Sequence, residues 1–279
     1  MNYATLIRTY EDKLEQIGED RENLAYVFRE LKEWSSLDFL LHQNQEVSSD
    51  DCLLLEKIFM DLSQHLSPQY LTGRAYFRDL QLSVDQRVLI PRPETEELVD
   101  LILAENPDTP LSVLDIGTGS GAIAISLKKE RPAWQLTASD ISSDALSLAQ
   151  DNASHYQLDI TFIVSDVFSQ LSGTFDMIVS NPPYIAYEDK DEVGLNVYQS
   201  EPHLALFAAE DGYAIYRRII EEASNYLSEK GKLYFEIGYK QGEGIKALVN
   251  THFPQKRVRV LRDVFGKERM VVVDHGTIS

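Results

Sequence analysis

The sequence is poor in several features, and each scarcity narrows what the chain can be. A single cysteine, Cys52, excludes an intramolecular disulfide, and no paired Cys/His spacing marks a metal site. Such a chain suits a reducing cytoplasm. No apolar run approaches the roughly 20 residues that span a bilayer, and the opening residues lack the basic start and apolar stretch of an export signal. No membrane association is expected. Positive charge is scarce as well: 26 Lys and Arg against 45 Asp and Glu leave a formal net charge of −19. Nucleic-acid binding draws on cations that displace condensed counterions, so stable binding of free DNA or RNA is not expected. The basic cluster Lys256, Arg257, Arg259 and Arg262 lies beside an expected strand and reads as a solvated face. Low-complexity tracts are missing, and 279 residues with 43% hydrophobic side chains can fill two cores, one large and one small.

What is present falls into three stretches. Over 3–66, apolar residues recur at helical spacing, as in Leu6, Tyr10 and Leu14 or Leu24, Val27, Phe28 and Leu31, which predicts several short helices. Ser48, Ser49, Asp50 and Asp51 form a helix start ahead of the apolar cluster Leu53, Leu54, Leu55, Ile58 and Phe59, expected to give one buried face. Between 73 and 93 the composition turns strand-like at 75–77, 80–84 and 87–90, a short β connector. Pro91 and Pro93 end it, and Pro93 with Glu94, Thr95 and Glu96 suits the first turn of a helix reaching about 103. Strand patterns at 112–116, 135–139, 160–164 and 177–179 then alternate with helical ones at 123–129 and 145–153, which predicts parallel strands with crossover helices. A long helix over 213–227, a strand at 232–237, a helix at 241–249 and strands at 258–261 and 270–273 complete a doubly wound α/β domain.

Asp115, Ile116, Gly117, Thr118, Gly119, Ser120 and Gly121 run from an apolar strand through a glycine turn into a helix. Glycines let a ligand approach the backbone closely. Asp140 ends the next strand, about 20 residues on, where a carboxylate can accept hydrogen bonds from both ribose hydroxyls. An adenosine-containing ligand is implied. With Ala122 the turn also fits the looser dinucleotide pattern, so NAD stays as an alternative. Asp115 can serve a ligand ammonium directly or through the turn, and no arginine stands nearby in sequence to offset a diphosphate. Asp166 follows the third strand, where its carboxylate can accept from the adenine amine while the Val167 N–H donates to a ring nitrogen. Phe168 reads either as a base-flanking ring or as a core aromatic.

Asn181, Pro182, Pro183 and Tyr184 follow the fourth strand of that pattern. Consecutive prolines fix φ twice and remove two donors, so the loop presents carbonyls in a stiff geometry. A planar NH₂ group needs such acceptors, because its lone pair is delocalised and its nitrogen is a weak nucleophile. The Asn181 side-chain oxygen and the Pro182 carbonyl can each accept one N–H, and Tyr184 can pack on the flat group and shed water.

The glycine turn together with Asn181 to Tyr184 resembles the class I methyltransferases that modify amide or exocyclic nitrogen. Three further stretches are similar to the HemK/PrmC family of release factor glutamine methyltransferases. They are Ile90-Pro91-Arg92-Pro93-Glu94-Thr95-Glu96, Glu201-Pro202-His203-Leu204-Ala205-Leu206 and Phe235-Glu236-Ile237-Gly238, with Tyr70-Leu71-Thr72-Gly73 upstream. The resemblance implies a Rossmann-like, mostly parallel seven-stranded sheet preceded by an N-terminal α-helical bundle and a β-hairpin linker. It implies a helical substrate-recognition domain over 1–73, the linker over 74–92 and the catalytic domain over 93–279. It implies S-adenosyl-L-methionine as cofactor, and as partners the bacterial class 1 peptide chain release factors, methylated on the glutamine N5 of their Gly-Gly-Gln motif. Carried over by position, Gly117 to Gly121, Asp140, Asp166, Val167 and Asn181 contact the cofactor, Asn181 to Tyr184 hold the glutamine, and Arg92 and Thr95 help shape the pocket. Ser200 departs from the pattern, since the family often has tyrosine there. Two other readings stay open on the residues alone: an adenine N6 methyltransferase, which labelled transfer to duplex DNA would reveal, and a non-catalytic cofactor-binding module, which would be indifferent to loss of Asn181.

Overall fold

The computed structural model describes residues 1–276. Its contacts separate two compact units: Met1–Arg74 with Val193–Glu201, and Ala75–Glu192 with the chain from Pro202 onward.

The first unit opens with α1 (Tyr3–Gln16), α2 (Glu22–Lys32), α3 (Ser36–His42), α4 (Ser49–Ser63) and α5 (Pro68–Thr72). Leu14, Leu24, Val27, Phe28, Leu55 and Leu62 are fully buried between them, close to the face the helical spacing predicts, although Leu31 and Leu53, expected on that face, are exposed. Ser48 caps α4 by accepting the Asp51 N–H at 3.1 Å, an interaction worth about 1 kcal/mol. Asp51 is itself buried, and it receives the Tyr3 hydroxyl at 2.5 Å and Lys32 Nζ at 2.8 Å. Burial raises its pKa, but the Lys32, Tyr3 and Ser48 hydrogen bonds bring it below the usual carboxylate range.

The second unit begins at Ala75, within the hairpin of β1 (Arg74–Phe77) and β2 (Leu80–Ser83), and continues with α6 (Pro93–Glu105). There follow β3 (Ser112–Ile116), α7 (Ala122–Glu130), β4 (Gln135–Asp140), α8 (Ser143–His155), β5 (Thr161–Val164) and β6 (Phe175–Ser180). Beyond β7 (Ile185–Ala186) the chain contributes α9 (Leu195–Ser200) to the first unit, and it resumes the second with α10 (His203–Leu206) and β8 (Phe207–Ala208). It closes with α11 (Ala214–Glu222), β9 (Leu227–Glu236), α12 (Gly242–His252), β10 (Arg257–Arg262) and β11 (Glu268–Asp274).

The main sheet has seven strands in the order β10-β11-β9-β6-β3-β4-β5, parallel from β9 to β5, with β11 antiparallel to both neighbours. Consecutive residues feed opposite cores. Val113, Met177, Val179 and Tyr234 face α6 and α7, while Leu114, Ile178, Leu233 and Phe235 face α11 and α12. The chain leaves β3 for β4 on one side and returns to β6 on the other. That reversal opens a crevice at the carboxyl ends of β3 and β6, where Ile116 pairs with Ser180.

Three expectations fail locally. Residues 87–90 form no strand, because Asp85 captures them in a turn: its carbonyl accepts the Val88 N–H at 3.1 Å, and its carboxylate accepts the Arg87 N–H at 3.0 Å and the Arg87 guanidinium. The helix expected over 213–227 stops at Glu222, and a 3₁₀ turn over Ala223–Asn225 leads into β9 at Leu227. There the Tyr226 carbonyl accepts the Phe175 N–H at 2.7 Å and draws the chain into the sheet. The basic cluster is not a plain solvated face. Arg257 binds the Asp274 carboxylate at 2.9 and 3.0 Å, and Arg259 grips Glu105 at 2.7 Å through each of two nitrogens.

Candidate active site

The glycine turn starts where β3 ends. Gly117 N and Thr118 N both donate to the Ser139 carbonyl, at 2.8 and 3.0 Å, so the turn is strapped to β4. Gly119 has φ +55, and a Cβ added there would meet no atom within 4 Å; the backbone is bare toward the cavity. Gly121 differs, since a Cβ would lie 2.8 Å from Ile125 Cδ1 and 3.3 Å from Ala149 Cβ. It is a packing glycine, and it does not line the cavity.

Asp140 closes β4 with its carboxylate anchored at both oxygens: Oδ2 accepts the Gly119 N–H and Oδ1 the Ser142 N–H, each at 2.9 Å. The Ile141 N–H leans on the same carboxylate, and the lone pairs that remain can accept a hydroxyl donor. Asp115 is fully buried and does not line the cavity. Its Oδ2 accepts from Thr118 Oγ1 at 2.7 Å, while Oδ1 has no partner. Burial pushes its carboxyl up to about 7, so any influence on a ligand passes through Thr118.

Asp166 reaches the cavity wall paired with Arg218 at 2.7 Å, and Arg218 lines the cavity beside it. Val167 sits at φ +52, a region a β-branched residue rarely enters, which marks a strained turn that the surroundings must hold. Phe168 is a core aromatic, buried and stacked on Tyr226 with ring centroids 4.3 Å apart.

The proline corner starts where β6 ends, one strand away from the glycine turn. Ser180 Oγ donates to the Ile116 carbonyl at 2.7 Å and ties the two strand ends together. Asn181, Pro182 and Pro183 line the cavity; Tyr184 does not. Its ring lies against Gly238, its carbonyl accepts from Gln241 Nε2 at 3.1 Å, and burial pushes its phenol up to about 12. Asn181 Nδ2 donates to Thr95 Oγ1 at 3.1 Å, and Thr95 Oγ1 donates to Glu236 Oε2 at 2.5 Å. Arg92 and Thr95 both line the cavity, so the start of α6 is part of its wall.

The cavity has a volume of about 500 Å³ and joins the two strand ends, with Gly117, Thr118, Gly119, Ser120, Asp140, Asp166 and Val167 at one end and Asn181, Pro182 and Pro183 at the other. Sequence patterning gave no role to Arg218 or Glu236. The signal for Glu236 was a lone acid inside an apolar strand, between Phe235 and Ile237; Arg218, on an amphipathic helix, gave none.

Comparison with known proteins identifies the family. Residues 96–204 match the family model of the methyltransferase small domain, and residues 5–73 match that of the PrmC N-terminal domain. The release factor glutamine methyltransferase of Streptococcus pneumoniae is 55% identical over 277 residues, covering 99% of each chain. That of Lactococcus lactis is 49% identical, covering 91% of this chain and 94% of its own. Among solved structures, a methyltransferase from Pyrococcus furiosus superposes with a TM-score of 0.55 at 19% identity, over 71% of this chain and 90% of its own, a likeness of fold alone. With both ends of the cavity built as described and relatives this similar along the whole chain, the protein belongs to the release factor glutamine methyltransferase family.

Proposed function

We propose that the protein methylates the N5 amide nitrogen of the glutamine in the Gly-Gly-Gln motif of bacterial class 1 peptide chain release factors, in the cytoplasm, with S-adenosyl-L-methionine as donor. The observation that carries this reading is the pairing of Ile116 with Ser180, from which a glycine turn and an acceptor corner open into one cavity. The residues present fit the donor. A Cβ on Gly117 or Gly119 would meet nothing within 4 Å, and Asp140 keeps free lone pairs for ribose hydroxyls. Asp166, Val167 and the Thr118 end of the turn complete its bed. When bound, the cofactor supplies an electrophilic methyl carbon on a sulfonium.

The chain's own residues do the rest by placement and electrostatics. Asn181 Oδ1 and the Pro182 carbonyl accept the two N–H bonds of the substrate amide, which fixes its plane and aims the nitrogen into the cavity. As positive charge grows on that nitrogen, the same two carbonyl dipoles stabilise it, so they bind the transition state better than the ground state. Pro182 has no N–H to compete, and with φ fixed by its own ring and ψ confined by the following Pro183 its carbonyl is held in place at little entropic cost. Residues 1–73 serve as the release-factor recognition domain, 74–92 as linker and 93–279 as the catalytic domain. A net charge of −19 suits a partner whose glutamine loop is basic. No helix among the described residues is long and apolar enough to cross a membrane.

The test is mass spectrometry of a release factor incubated with the protein and S-adenosylmethionine, beside labelled transfer to duplex DNA. One methyl on the Gly-Gly-Gln glutamine, with none on DNA, is expected. Methylated adenine without modified glutamine would sink the reading.

A further inference from the structure

A primary amide has two unlike ends, and only one of them helps a substrate NH₂. The oxygen of Asn181 accepts; its nitrogen would set donor against donor. Something must hold the oxygen end toward the cavity.

Three elements meet behind Asn181. Ser180 pairs with Phe235 across β6 and β9, which brings Glu236 alongside Asn181, while the first turn of α6 supplies Thr95. Thr95 is 5% exposed and Glu236 1%, so bulk water does not compete for their hydrogen bonds. The Thr95 hydroxyl has one proton. It gives that proton to Glu236 Oε2 at 2.5 Å, and toward Asn181 it can therefore only accept, which it does from Nδ2 at 3.1 Å. Asn181 also hydrogen-bonds the Glu236 carboxylate directly, where only an N–H can donate, so both contacts hold the amide nitrogen inward and leave the oxygen for the cavity that Asn181 lines.

We propose that Glu236 and Thr95 are positioning residues for methyl transfer, the Glu236 carboxylate acting both directly and through the Thr95 hydroxyl to hold the Asn181 amide with its oxygen toward the substrate nitrogen. This rests on Asn181 receiving the substrate amide, as proposed above. The polarity of the chain depends on charge. A carboxylate can only accept, whereas a protonated Glu236 can donate to Thr95, freeing the threonine proton to point at Asn181 and favouring the flipped amide. The groups facing Glu236 are Thr95 and Glu94 from α6, Asn181 and Tyr184 from the proline corner, Tyr216 from α11 and Arg269 from β11. Burial pushes Glu236 up to about 7, against the pull of Thr95, Arg269 and Asn181, while both tyrosines are pushed far above neutrality. Turnover therefore gains an acid limb that tracks Glu236 ionisation.

The experiment measures kcat and KM on a release factor, cofactor affinity by calorimetry, and Tm, all on the full chain. Thr95→Val keeps the side-chain shape but loses the relay, and kcat is expected to fall roughly 10- to 100-fold with KM and cofactor Kd within about threefold. Thr95→Ser, which restores the hydroxyl, recovers most of that loss. Glu236→Gln keeps an acceptor for Thr95 in one of its two amide orientations, so kcat is expected to fall roughly 10-fold while the acid limb is lost. On an Asn181→Ala background, Thr95→Val adds less than about twofold, because the residues act as one unit. If wild type methylates glutamine but Thr95→Val turns over within threefold of it, or Glu236→Gln keeps the acid limb, the relay is overturned and the functional reading survives. If Thr95→Ser recovers nothing, or cofactor binding and Tm collapse along with kcat, the role is merely structural and the relay is again overturned. Should Glu236→Gln fail to fold, the Val-against-Ser contrast at Thr95 decides. If wild type leaves glutamine unmodified, the functional reading itself falls.

Discussion

The glycine turn after β3 and the proline corner after β6 are neighbours at one sheet edge, yet they are held in opposite ways. The turn is held chiefly by its own residues and the adjoining β4. Gly121 N donates to the Thr118 carbonyl at 2.9 Å, Thr118 Oγ1 to Asp115 at 2.7 Å, and Gly119 N to Asp140 at 2.9 Å. Pro182 and Pro183 give the corner no N–H to bond with, so side chains far off in sequence hold it. Thr95, 86 residues earlier, takes Asn181, and Gln241, 57 residues later, takes the Tyr184 carbonyl. The turn should thus be sensitive to changes within itself, and the corner to changes elsewhere.

The largest effect is expected at the acceptor atom. Asn181→Ala should lower kcat by roughly 10³-fold while calorimetry finds cofactor affinity within about tenfold. A rate within tenfold of wild type would mean the corner is scaffolding rather than an acceptor. In the turn, Gly121→Ala should act through the fold. Its Cβ would crowd Ile125 Cδ1 at 2.8 Å from a backbone at φ +83, costing about 2 kcal/mol in denaturant unfolding and weakening cofactor binding. With cofactor saturating, kcat should stay close to wild type. An unchanged unfolding midpoint would break the contrast.

The same contrast explains what could be read from the sequence. Asp115 to Gly121 is a local pattern on a strand-to-helix turn, and its place in the fold follows from adjacent residues. Asn181 to Tyr184 was legible as a stiff, carbonyl-rich loop, but not the hydrogen bonds behind it, because Thr95 and Glu236 meet Asn181 only through the register of β6 with β9 and the packing of α6. The parallel, doubly wound character of the sheet was legible from the alternation of strands and helices. The misplaced pieces were decided by single hydrogen bonds that periodicity does not see: Asp85 turning residues 87–90, and Phe175 drawing Tyr226 out of a helix. Tyr184 and Phe168 show a further limit. An aromatic beside a site can face the cavity or the core, and here neither lines the cavity.

The smallest expected effect sets the two loops against each other through pH. Each has a carboxylate that burial pushes up to about 7, Asp115 from 3.8 in the turn and Glu236 from 4.5 behind the corner. Folded protein then keeps protons that the unfolded chain releases near pH 4. The stability this contributes is fully present below the unfolded values and is lost as pH rises through about 7. Asp140, also raised by burial, adds to the turn's share with the same sign. Asp274, held at about 2 by Arg257, the Gly276 N–H and Arg259 despite its burial, contributes in the opposite sense, lost only as pH falls below the ordinary carboxylate range. Between pH 5 and 8 the raised carboxylates should dominate, and ligand-free Tm should decline by several degrees, on the order of 1–3 kcal/mol for each group. Asp115→Asn, which keeps an acceptor for Thr118, and Glu236→Gln should each flatten that slope by a similar amount, because both carboxylates are raised to about 7 from values below pH 5. A wild-type Tm that does not decline across this range, or equal slopes in wild type and both variants, would mean that neither loop stores its charge by burial.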